Sequence, residues 1–170
     1  VPTGVAAAGA VAVPAFTDIA HVDTGGTAAI TALASHGITL GTSATAYSPD
    51  DNVTREQMAM FLNRFASIAK DHAGAAITAV AATTGNYNYS DIANTSWEGM
   101  ESIIRLYNLG VTGETCTALS LATCASTYRP ADDITRSEMA GMLVALMNHT
   151  NARPAGTTIQ SDGSAATAGT

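Results

Sequence analysis

Thr54-Arg55-Glu56-Gln57 and Thr135-Arg136-Ser137-Glu138 decide how this chain is read. In each, a threonine is followed three residues later by Gln or Glu. That is a capping box: the hydroxyl accepts an N–H from the first turn, and the longer side chain reaches back to the threonine N–H. Met58, Phe61, Leu62 and Phe65 follow the first box; Met139, Met142, Leu143 and Leu146 follow the second. Spacing of i, i+3, i+4, i+7 gathers apolar side chains on one face of a helix. Two helices are therefore expected, near 54–70 and 135–149.

Outward from these boxes the sequence repeats itself. Tyr47-Ser48-Pro49-Asp50-Asp51-Asn52-Val53 leads into the first, and Tyr128-Arg129-Pro130-Ala131-Asp132-Asp133-Ile134 into the second. Further upstream, Phe16-Thr17-Asp18-Ile19 matches Tyr89-Ser90-Asp91-Ile92, and Ile30, Leu33, Gly37 and Ile38 match Ile103, Leu106, Gly110 and Val111. Thr95-Ser96-Trp97-Glu98 reads as a third capping box, with Met100, Ile103, Ile104 and Tyr107 as its apolar stripe. Gly37 and Gly110 suit the left-handed residue that ends a helix. Helices are thus also expected near 25–36 and 95–109. An ordered set of matches found twice marks a structural repeat. The expected fold is mainly α: two helix-loop-helix repeats with extended Ala/Gly/Thr-rich tails. The divisions are an apolar small-residue segment 1–15, repeat 16–72, linker 73–88, repeat 89–150 and tail 151–170.

Composition narrows the function. Charged residues make up 12% of the 170, about half the usual share, and the net charge is -7 with seven basic residues. No basic run exists, which argues against a nucleic-acid partner. No stretch is apolar enough for a spanning helix, so no membrane span is expected. Cys116 and Cys124 stand without a Cys or His pair at zinc spacing, so no metal site is expected. A disulfide pinning the inserted loop of the second repeat is expected instead, worth roughly 2–3 kcal/mol and requiring an oxidising compartment. The chain opens on Val rather than Met, as expected of a processed product or a fragment.

Taken together, these residues resemble the S-layer homology family of bacterial envelope proteins. Its pattern runs Phe-x-Asp-Val, Trp, Ala-Ile-x-x-Leu, Gly-Ile, a Phe/Tyr-x-Pro loop, then Thr-Arg-Ala-Glu opening an apolar helix. The second copy supplies Tyr89, Asp91, Trp97, Ile103, Gly110, Tyr128, Pro130 and Thr135-Arg136-Ser137-Glu138; the first supplies Phe16, Asp18, Ile30, Gly37, Tyr47, Pro49 and Thr54-Arg55. Thr24 stands where the second copy has Trp97, and Gln57 where it has Glu138. The resemblance implies that the two repeats pack around a shared helical bundle, in an extracellular protein at the cell wall or S-layer. It further implies binding of an envelope polysaccharide, often a pyruvylated secondary cell-wall polymer, through the motif arginine. Carried over, the glycan-binding candidates are Arg55, Arg136, Thr54, Thr135, Trp97 and Glu138. A guanidinium that forks onto a ketal-linked carboxylate is chemically suited to that role.

No nucleophile elbow, phosphate loop or dinucleotide fingerprint is present, and His21, His36, His72 and His149 are scattered; no enzyme activity and no cofactor are expected. Asp18 and Asp91 are expected to cap a turn or a helix start. Asp50-Asp51-Asn52 and Asp132-Asp133 lack the Gly and terminal Glu of a calcium loop. The leading expectation is a non-enzymatic surface protein that self-assembles into an S-layer, sheath or filament, with its tails packed on neighbouring subunits. The alternative is a cell-wall anchor; a third reading is a fragment of an envelope hydrolase.

Overall fold

A computed structural model describes residues 14–71, 73–77, 89–112, 127–150, 157–159 and 165–167. Cys116, Cys124, the N-terminal segment 1–13, most of the expected linker and most of the tail lie outside the described residues. The protein is mainly helical, and it divides into two compact units, one ending at Asn52 and the other beginning at Val53. The boundary thus falls inside the segment 16–72, just ahead of the first capping box.

The first unit holds α1, Thr24–Ser35. Asp23 caps it, its Oδ1 accepting Gly26 N at 2.6 Å. Gly37 ends it at φ 68°, and Ile38 N returns to Leu33 O at 2.9 Å. The left-handed turn that these bonds require is open to glycine without a Cβ penalty. Ile30, Ala34 and Ile38 are buried, while Leu33 faces outward. The loop that follows is held from upstream. Both Asp18 carboxylate oxygens accept Tyr47 N, at 2.9 and 3.0 Å, and Oδ2 accepts Ser48 N at 2.7 Å.

The second unit contains α2 (Arg55–Ile68), α3 (Trp97–Asn108) and α4 (Arg136–Met147), preceded at α3 by a 3-10 turn over Ile92–Asn94. A short antiparallel pair, β1 (Thr157–Ile159) and β2 (Ala165–Thr167), closes the chain, with Thr157 opposite Thr167. Both expected boxes form: Thr54 Oγ1 accepts Gln57 N while Gln57 Oε1 accepts Thr54 N, and Thr135 and Glu138 do the same. α2 stops at Ile68 because the chain turns there. Asp71 Oδ1 accepts Ala73 N and Ala75 N, and Lys70 bridges to Ala76.

α2 packs chiefly on α3 and more lightly on α4. Its buried stripe is Met58, Ala59, Leu62 and Ala66, not the expected Met58, Phe61, Leu62 and Phe65. The face is rotated toward the alanines because small side chains let the neighbouring backbone approach, and Phe65 is left at the surface. Ile103, Ile104 and Leu106 of α3 and Met142 and Leu146 of α4 complete the core with Tyr89, Ile92, Val111 and Tyr128.

The start of α3 departs from the expected box. Ser96, not Thr95, is the cap, and its Oγ accepts Gly99 N at 2.9 Å. Gly99 occupies the position where a box needs Glu or Gln. Glu56 of α2 takes that role across the interface, accepting Ser96 N at 3.0 Å and Ser96 Oγ at 2.6 Å. Arg64 forks onto Glu98 at 2.7 and 2.9 Å, and Asn63 donates to the buried Ser102 hydroxyl at 3.1 Å. The two helices are therefore fixed in register by polar groups at three levels.

Candidate functional site

The loop 127–134 of the second unit is where Arg55 and Glu138 come together. Asp91 holds it as Asp18 holds the first loop, its oxygens accepting Tyr128 N and Arg129 N at 2.8 Å each. The loops also share an uncommon backbone: Ser48 lies at φ 58° and Arg129 at φ 57°. Non-glycine residues in this region need local support, here two N–H bonds to one carboxylate. Phe16 meets Tyr47 with ring centroids 5.4 Å apart, and Tyr89 meets Tyr128 at 5.4 Å.

Arg55, the first residue of α2, enters this loop and is only 6% exposed. Its Nε donates to Tyr128 O at 2.7 Å and its Nη1 to Glu138 Oε1 at 2.6 Å. The guanidinium lies over the Tyr128 ring, 4.8 Å from its centroid, and the Tyr128 hydroxyl donates to Arg55 O at 3.2 Å. Backbone bonds seal the joint. Arg55 N reaches Asp132 O at 2.9 Å, Glu56 N reaches Pro130 O at 3.0 Å, and Ile134 N reaches Val53 O at 2.9 Å. The first two N–H groups of α2, which a helix leaves unpaired, are thus satisfied by the loop.

Glu138 is saturated. Oε2 accepts Thr135 N and Thr135 Oγ1, while Oε1 accepts Arg55 and Arg129, the latter at 3.0 Å. A carboxylate has about four acceptor positions, so little remains for a ligand. The Thr135 backbone N–H, then the Thr135 hydroxyl, with Arg55 and Arg129 adding charge, hold its carboxyl below the usual glutamate range. A depressed folded pKa gives stability that is full above the unfolded value, about 4.3, and is lost as pH falls through the folded one. Asp18 and Glu98 are shifted the same way, by the Tyr47 N–H and by Arg64 respectively. Denaturation midpoints measured from pH 6 downward should therefore fall, and the gap between parent and Glu138→Gln should shrink with them.

The other candidates are placed differently. Thr54 and Thr135 act as helix caps. Trp97, in the first turn of α3, is 74% exposed. Arg136 is exposed at the start of α4, and among the described residues no ion pair engages it. Arg129, which the sequence reading did not single out, binds both Glu138 and Asp132; its only sequence signal is its place between Tyr128 and Pro130.

An open groove of about 410 Å³ lies beside the joint, lined by Glu56, Asp91, Asp132 and Arg129 with Asn94, Thr95, Pro130 and Ala131. Three carboxylates against one guanidinium make it a poor receptor for an anionic sugar. Among the described residues, no group of three or more His, Cys, Asp or Glu is arranged to hold a metal, and no helix is long and apolar enough to cross a membrane.

Residues 15–59 match the family model of the S-layer homology domain, a span running from Phe16 through α1 and the first loop into the capping box of α2. No curated protein and no solved structure matches the chain. The match covers the first of the two motif sets described above. Over residues 15–59 the chain is thus similar to the S-layer homology domain, which is found in bacterial cell-surface proteins attached to the cell wall or S-layer.

Proposed function

We propose that this is a non-enzymatic structural protein of the bacterial surface. Two S-layer homology repeats, 16–72 and 89–150, form a helical scaffold that assembles into an S-layer, sheath or filament. The observation that carries this reading is the burial of Arg55. The arginine that a glycan-binding motif would present to solvent is instead the pin of a joint with the next repeat's loop. The recurrence of the loop clamp, the positive-φ residue and the capping box in both sequence halves supports the repeat. Electron microscopy of the purified protein tests the assembly. Ordered polymers formed without wall glycan are expected; a protein monomeric at every concentration overturns it.

A second reading, an anchor that binds a pyruvylated secondary cell-wall polysaccharide, is favoured by one observation: Arg136 is exposed at a helix start, where a carboxylate is welcome. In a wall-glycan pull-down, Arg136→Ala would then retain less than half of the parent's binding with its helicity intact. Equal retention by both removes the anchor.

A further inference from the structure

The joint formed by Arg55 has a second set of parts in the same chain. By the spacing of the repeats, Arg136 corresponds to Arg55, and Tyr47, Pro49 and Asp51 correspond to Tyr128, Pro130 and Asp132. The parts that form the joint are filled: the carbonyls of Tyr128, Pro130 and Asp132 accept Arg55 Nε, Glu56 N and Arg55 N. Among the described residues of the first unit, no donor reaches the carbonyls of Tyr47, Pro49 or Asp51, and among those of the second unit no acceptor meets the N–H groups of Arg136 and Ser137. The ring exposures agree, since Tyr128 is buried beneath its guanidinium while Tyr47 is half-buried.

We infer that the loop Tyr47–Asp51 is the docking surface for Arg136 of a second copy of this chain, in a joint that repeats the one Arg55 makes. The inference rests on the assembly reading above and names its contact. The loop is preset for it: Asp18 holds it in the same backbone form that Asp91 imposes on the occupied loop. Charge also fits. The residue corresponding to Glu138 is Gln57, whose amide oxygen is taken by Thr54 N. The loop supplies carboxylates of its own instead, in the exposed Asp51 and in Asp50, whose Oδ2 meets His21 Nε2 at 2.8 Å. Plug and loop are different surfaces, so each copy offers one of each. Such a heterologous contact leaves a plug on one copy and a loop on the other, where further copies add. Its carboxylate–guanidinium component is exposed and therefore weakens with salt.

Sedimentation velocity of the full chain over a concentration series tests this, using Arg136→Glu and a socket variant carrying Asp50→Lys with Asp51→Lys. Circular dichroism confirms that both fold. The parent should show a series of species that grows with concentration and recedes in high salt. Each variant alone should lose every species above the monomer. Mixed one to one, the intact loop of one variant should take the intact Arg136 of the other, giving a species that stops at two copies. If the parent assembles and Arg136→Glu assembles equally well, the joint is wrong while the assembly reading stands. If the parent never assembles, both fall.

Discussion

Replacing Arg55 by Ala is expected to lower the stability of the second unit by about 3 kcal/mol, from the loss of hydrogen bonds to a charged group and of a partly buried ion pair. The Tyr128 carbonyl would lose its charged donor and the Tyr128 ring its stacked cation. The loss stays near the low end for a buried pair because Glu138 keeps Arg129 and both Thr135 donors. Arg55→Lys should recover under half of the loss. An ammonium carries the charge but cannot reach a carbonyl and a carboxylate while lying flat on a ring. Urea unfolding followed by circular dichroism measures both. A surface arginine kept for ligand binding would lose well under 1 kcal/mol in the same experiment, so an unchanged midpoint would return Arg55 to the glycan-binding candidates.

What the sequence made legible was local. Capping boxes declare themselves over four residues, and the glycine that ends a helix needs only its own backbone, so Thr54, Thr135, Gly37 and Gly110 read correctly. Arg55 did not. Its partners lie 73 and 83 residues downstream, and nothing in Thr-Arg-x-Gln separates a solvated arginine from a buried pin. Asp18 and Asp91 were expected to cap a turn or a helix start, but Asp91 makes no side-chain bond to the 3-10 turn it precedes, and the loops that the two carboxylates hold start 29 and 37 residues away. The cap of α3 failed for the same reason. Its acceptor, Glu56, comes from another helix, 40 residues earlier. Apolar periodicity also misled by one residue on α2, because alanine scores as weakly apolar in a sequence but is favoured where helices touch.

Leu106 and Leu33 occupy matching places in the two copies, and the sequence gives no reason to rank them. The structure does: Leu106 is 0% exposed and Leu33 is 38% exposed. Leu106→Ala should cost about 3–4 kcal/mol, combining lost burial with a cavity that α3, pinned by Arg64 and Asn63, cannot collapse to fill. Leu33→Ala should cost under about 1 kcal/mol, since the side chain already meets solvent. The larger effect also reaches the joint. Leu106 shares its core with Tyr128 and with Leu62 of α2, so loosening it frees the loop that receives Arg55. Hydrogen exchange separates the two outcomes. Amides of α2 and α3 should lose protection together in Leu106→Ala, and those of α1 should keep theirs. Equal losses from Leu33→Ala and Leu106→Ala would mean that the two copies bury matching cores after all.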